Sequence, residues 1–191
     1  MTVVDVRLTR DIDVLGQARP QRALREIDRV LKVDGFEPTG PDPDGFAHRY
    51  ERDDLVVDVL APDGLRPPPT LGGFKAVGIP GGSQALVRSE VVTVSVDGKD
   101  FQLRRPTLLG AILIKARSIM RHADTQSQRE DLLRLLALVE DPRAMAADLK
   151  NSERAWLRRA EARLDFDGLA ILDEATVRNA RLAYRILLRE S

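Results

Sequence analysis

Asp11-Ile12-Asp13-Val14-Leu15, closed by Gly16, is the stretch that organises the reading of this 191-residue chain. As a short strand it turns successive side chains to opposite faces, so both aspartates share one face and Ile12 takes the other. Paired carboxylates of this kind are hard oxygen donors, the type Mg²⁺ accepts while keeping water and substrate phosphates in its octahedron. Next, residues 20–33 carry Ala23, Leu24, Ile27, Val30 and Leu31 at helical spacing, with a proline at the start and Gly35 just beyond the end. Segments 47–52 and 55–60 then form a hairpin around Asp53-Asp54, the second strand carrying Asp58 between valines and leucines. A carboxylate in that setting needs a cation. Either an arginine meets it, or a metal shared with Asp11 and Asp13 does. The order of D-x-D strand, helix and isolated strand aspartate favours the metal.

Outward from this unit, residues 62–83 hold five prolines and six glycines and are expected to be a long loop rather than a packed element. Val91–Val96 and Phe101–Leu103 flank Asp97-Gly98, a strong hairpin signal. From Pro106 onward the periodicity predicts helices over 106–122, 126–140, 142–149, 151–164 and 173–189. The expected class is α+β: a sheet-containing lobe over residues 1–105, then a helical lobe over 106–191.

Composition narrows the chemistry. With no cysteine, the chain has no thiolate nucleophile, Cys-based zinc site or disulfide framework. Neither an export signal nor a long apolar run is visible, so a soluble, cytoplasmic protein without membrane association is expected. Total charge balances at 30 basic and 30 acidic residues, but residues 1–100 carry a net −4 and 101–191 a net +4. Two arginine rows, Arg178/Arg181/Arg185/Arg189 and Lys150/Arg154/Arg158, read first as solvated helix faces and second as places for nucleic-acid phosphates. His48 and His122 lack ligand spacing, and Trp156 reads as a packing anchor rather than a base-stacking platform. Lys115 is unusual within a stretch rich in Leu, Ile and Ala. It is either a snorkelling lysine or an ammonium aimed at phosphates. Asp131 reads by itself as a helix-surface charge with Arg134 in reach.

The string Arg7-Leu8-Thr9-Arg10-Asp11-Ile12-Asp13 with Asp58 resembles the polymerase-β-like nucleotidyltransferases. Pro106-Thr107-Leu108-Leu109 leading to Lys115-Ala116-Arg117, then Arg129-Glu130-Asp131-Leu132, is similar to the AbiEii-type branch that includes the MenT toxins. The likeness covers roughly residues 1–140. It implies a polymerase-β-like sheet with flanking helices and a C-terminal helical lobe, acting as a Mg²⁺-dependent nucleotidyltransferase toxin. In such an enzyme Asp11 and Asp13 would hold Mg²⁺, while Asp58 would complete the site and help activate the attacking hydroxyl. Lys115 would contact the triphosphate and Asp131 would orient the Lys115 region. The implied reaction transfers a nucleotide, CTP or UTP being the expected donor, to the 3′ end of tRNA and so blocks translation; the implied partner is a cognate antitoxin protein. The hydroxyl of Thr9 would contact a phosphate or, if itself phosphorylated, would disable the site. The family's glycine-rich turn before D-x-D has no counterpart here, since the ten residues ahead of Asp11 lack glycine. Either residues upstream of Met1 would supply it, or another element does the phosphate work. The alternatives are a catalytically silent or truncated binding module of the same fold, and transfer to a small molecule such as an aminoglycoside.

Overall fold

The computed structural model describes residues 11–17, 22–120, 126–164, 166 and 172–189. Two compact units divide the chain, residues 1–86 and 87–191. Each has its own core, and the class is α+β.

In the first unit, β1 (Asp11–Leu15), α1 (Arg22–Val33), β2 (Glu37–Pro38), β4 (Arg49–Arg52) and β5 (Leu55–Pro62) build a sheet of order β1-β5-β4-β2. Of its pairs, β1–β5 is parallel and the other two antiparallel. Asp53, at the tight turn between β4 and β5, has φ 52°, a left-handed conformation that aspartate tolerates better than branched residues. One sheet face supplies Tyr50, Val57 and Val59 to a core completed by Leu24, Ile27 and Leu31 of α1. Here the Tyr50 hydroxyl donates to Asp28 Oδ1 at 2.6 Å, which satisfies the one polar atom this ring buries.

The stretch 62–83 departs from the expected loop. It contains β6 (Thr70–Leu71), β7 (Phe74–Ala76) and β8 (Gly78–Ile79) and leads into α2 (Gly82–Val87). With β3 (Phe46–Ala47), β6 and β7 make a three-stranded sheet, while β8 pairs the end of β5. Leu71 and Ala76 from this stretch are buried in the first core. Strands of two or three residues are too short to show an alternating pattern, and their prolines and glycines sit at the turns between them.

In the second unit, β9 (Ser89–Val96) and β10 (Lys99–Pro106) form the expected hairpin, in register Lys99↔Val96. Asp97 and Gly98 have φ 51° and 74°, the paired left-handed conformation a two-residue turn requires. Helices α3 (Leu108–Ile119), α4 (Gln126–Ala137), α5 (Pro142–Ala147), α6 (Asn151–Glu161) and α7 (Glu174–Leu188) follow. Among the described residues no helix is long and apolar enough to cross a membrane. Leu113, Ile119, Leu133, Leu157 and Leu187 are fully or almost fully buried in a single cluster. Starts of helices are set by side-chain caps: Thr107 accepts from Gly110 N at 3.2 Å, Asp141 from Arg143 N and Ala144 N at 3.0 Å, and Asp173 from Thr176 N at 2.9 Å.

The hairpin groups with the helices rather than with residues 1–86, which places the division ahead of the expected 105/106 boundary. Its base explains this. Thr107 N donates to Arg88 O at 2.8 Å. The Arg88 guanidinium grips Glu153 at 2.9 and 2.8 Å and Asp148 at 2.7 Å. Glu153, with no exposed surface, also accepts from Lys150 N at 2.9 Å, so its buried charge is fully engaged.

Candidate functional site

Register places the acidic residues. Because β1 runs parallel to β5 with Asp13 opposite Asp58 and Asp11 opposite Val56, all three aspartates stand on one sheet face. The same rows continue into β4, where Arg49 is opposite Asp58 and Glu51 opposite Val56, and into β2, where Glu37 is opposite Glu51. One row therefore reads Asp13, Asp58, Arg49 and its neighbour Asp11, Val56, Glu51, Glu37. The core residues Val57, Val59 and Tyr50 occupy the opposite face. The two aspartates of the D-x-D strand share a face, as expected, and both are exposed.

Asp58 is 8% exposed, and the cation it meets is Arg49. Nε and Nη2 of the guanidinium each donate to one carboxylate oxygen at 2.9 Å, a two-point geometry only arginine offers. This hydrogen bonding, then the charges of Arg49 and His48, hold the Asp58 carboxyl below its ordinary pKa against the opposing effect of burial. Arg49 is in turn held more firmly protonated, by Asp58 first and then by the charges of Glu51 and Asp11. The Arg49 guanidinium thus sits amid the carboxylates. Among the described residues no three His, Asp or Glu side chains are gathered closely enough to hold a metal ion. The donor set nevertheless suits Mg²⁺ in kind: Asp11 and Asp13 are hard, exposed oxygen donors, and Asp58 stands beside Asp13. Each Asp58 oxygen accepts one bond from Arg49 and keeps a second lone pair that a metal could use.

Arg49 was legible in the sequence. A two-residue turn at Asp53-Asp54 sets Arg52 opposite Leu55 and, three residues further, Arg49 opposite Asp58. Glu37 carries no comparable signal, because β2 is only two residues long.

Lys115 and Asp131 belong to the second unit and meet each other. Lys115 Nζ on α3 donates to Asp131 Oδ2 on α4 at 2.8 Å, with the side chains 29% and 25% exposed. This contact ties α3 to α4. Thr9 and His122 lie outside the described residues. His48 contributes its backbone carbonyl, which accepts from Val59 N at 2.6 Å.

The row Lys150/Arg154/Arg158 is not a phosphate-facing stripe. Arg154 is 6% exposed, and its guanidinium donates to Leu187 O, to Arg189 O at 2.7 Å and to Ala146 O at 3.0 Å. It closes the carbonyl ends of α7 and α5, a role that favours a cation. On α7, Arg178, Arg185 and Arg189 are exposed, while Arg181 lies over the Phe166 ring at 5.3 Å. Trp156 packs against the helical core as expected, with Arg117 stacked 4.2 Å from its ring centroid.

Comparison of the chain with protein-family models, with curated proteins and with solved structures finds no match.

Proposed function

We propose that this chain is a Mg²⁺-dependent nucleotidyltransferase acting on the 3′ end of RNA, in the manner of the AbiEii-type toxins it resembles. The observation that carries the reading is the register: a D-x-D strand parallel to a strand whose aspartate stands opposite the second D. Asp11 and Asp13, joined by Asp58, are the residues that would hold Mg²⁺. The ion, when bound, supplies positive charge to phosphoryl oxygens. Asp58 would accept the proton of the attacking hydroxyl as it adds to the α-phosphate in line and pyrophosphate leaves. CTP or UTP is the proposed donor and tRNA the proposed acceptor. The outcome would be a block on translation relieved by an antitoxin.

Pyrophosphate release measured with each NTP, Mg²⁺ and total RNA tests the chemistry. Release that disappears in Asp13→Ala supports it, and release indifferent to Asp13 removes it.

One observation favours a second reading, a silent binding module of the same fold. The Arg49–Asp58 pair already neutralises the third carboxylate. Calorimetric titration with Mn²⁺ separates the two readings. Binding abolished by Asp13→Asn belongs to an enzyme, whereas a folded protein that takes up no Mn²⁺ belongs to the module.

A further inference from the structure

The hairpin of β9 and β10 has two unlike faces. On one, Ser95 Oγ donates to Asp100 Oδ1 at 2.5 Å, Gln102 Nε2 to Thr93 Oγ1 at 2.9 Å and Arg104 Nη1 to Ser89 Oγ at 2.9 Å, so polar side chains are laced across the strands. The other carries Val92, Val94, Val96, Phe101 and Leu103, with the Glu90–Arg105 ion pair at its base. Phe101 and Leu103 are each 53% exposed. Among the described residues these two strands form a sheet by themselves, and no other strand pairs with either edge. A two-stranded sheet is marginal in water, whereas three or more strands with an apolar face stand on their own. We propose that β10 pairs antiparallel with β10 of a second copy of this chain, about a two-fold axis at Gln102, giving a four-stranded sheet of order β9-β10-β10-β9.

What the edge carries selects the occupant. The turn at Asp97-Gly98 makes Val96 and Lys99 the closing hydrogen-bonded pair. By alternation the odd-numbered residues of β10 bond to β9, while Asp100, Gln102 and Arg104 turn their N–H and C=O groups outward. An inverted copy centred on Gln102 matches these residues to one another: Gln102 meets Gln102, Asp100 meets Arg104, and on the apolar side Phe101 meets Leu103. The two-fold axis repeats the charged pair and the apolar pair, both of which stabilise adjacent strands. Lys99 falls opposite Arg105, whose charge Glu90 offsets at 3.1 Å. Neighbouring registers lack this match. Centred on Phe101, Asp100 would meet Gln102 and Lys99 would meet Leu103; centred on Leu103, Phe101 would meet Arg105 and Gln102 would meet Arg104. Charges on a free edge ordinarily discourage pairing. Here Asp100 and Arg104, equidistant from Gln102, admit an inverted copy of their own strand. A seam of one strand pair is small beside the roughly 1,200–2,000 Å² of a standard interface, so the association is weak and depends on concentration.

Sedimentation velocity of the full chain over a wide range of concentration should show a monomer–dimer equilibrium. Asp100→Arg and Arg104→Asp, both at exposed positions, should each weaken the dimer by about tenfold or more, because the axis turns two attractive pairs into two repulsive ones. The double exchange Asp100→Arg/Arg104→Asp restores opposite charges and should bring the dimer back to within about threefold of wild type. Circular dichroism checks that each variant is folded. The chain has no cysteine, so single cysteines report the register. Gln102→Cys should be joined to its equivalent by a short thiol-to-thiol cross-linker, the two standing about 5 Å apart. Lys99→Cys should not, since the register separates the two copies of residue 99 by about 20 Å along the strands. A chain that stays monomeric throughout leaves the edge to a different partner and overturns the proposal. A dimer indifferent to Asp100→Arg, a double exchange as weak as the single ones, or Lys99→Cys cross-linking as readily as Gln102→Cys overturns it equally.

Discussion

Arg49 sets the state of the acidic face. Its two bonds to Asp58 allow a nearly buried carboxylate to stay ionised, so Arg49→Met should leave that charge stranded. We expect a loss of about 1–3 kcal/mol in urea unfolding, at the lower end because the Arg49 side chain is 41% exposed and solvent screens the pair. The double variant Arg49→Met/Asp58→Asn should recover part of it, since the stranded charge is then gone; a double variant less stable than Arg49→Met contradicts this. Tyrosine gives a pH prediction. The pKa values of Tyr50 and Tyr184 are both raised from 10.0, chiefly by burial, with the Asp28 hydrogen bond adding to the first and the charge of Glu161 to the second. A group whose folded pKa is raised contributes stability that is whole below its unfolded value and is lost as pH climbs through the folded one. Stability should therefore hold up to about pH 10 and fall above it. As the chain has two tyrosines, phenolate absorbance should rise only together with unfolding. Ionisation of either ring in a still-folded protein would show that burial is not what holds the protons.

At the scale of elements, Gly110 offers a prediction with an unusual sign. Glycine to alanine inside a helix ordinarily stabilises by about 1 kcal/mol. At Gly110 a Cβ would stand 2.6 Å from the backbone oxygen of Arg88, at the point where the hairpin base meets α3. Gly110→Ala should therefore destabilise the second unit by about 1–3 kcal/mol, read from its thermal midpoint; a raised midpoint would mean that the α3–hairpin junction gives way easily. Long elements were legible because their periodicity is strong: α1, the β4–β5 and β9–β10 hairpins and the five later helices lie where patterning and turn residues put them. The short strands β6–β8 were not, because nothing in two or three residues distinguishes a strand from the turn beside it. Arg154 was misread for a different reason. Periodicity gives a helix face but not what that face meets, and here the arginine meets the carbonyl ends of two other helices. The same limit applies to the candidate site. Spacing sufficed to place Asp11, Asp13 and Asp58 on neighbouring strands, but the pairing of Lys115 with Asp131 depends on how α3 packs on α4, which no local pattern encodes.

At the scale of the whole chain, two cores with separate memberships predict separable folding. Every buried member of the helical core lies between Leu109 and Leu187. Residues 87–191 expressed alone should therefore keep a helical circular dichroism spectrum and melt cooperatively, with Trp156 fluorescence following the same transition; a non-cooperative melt would contradict that. The central claim, transfer of a nucleotide to RNA by the acidic face of the first unit, is tested most directly by one measurement. The full chain is incubated with total tRNA, Mg²⁺ and each α-³²P-labelled NTP in turn, beside Asp11→Ala. Label on tRNA from one pyrimidine nucleotide, lost in the variant, is the predicted result. Absence of label from a demonstrably folded protein, or label equally strong in Asp11→Ala, contradicts it.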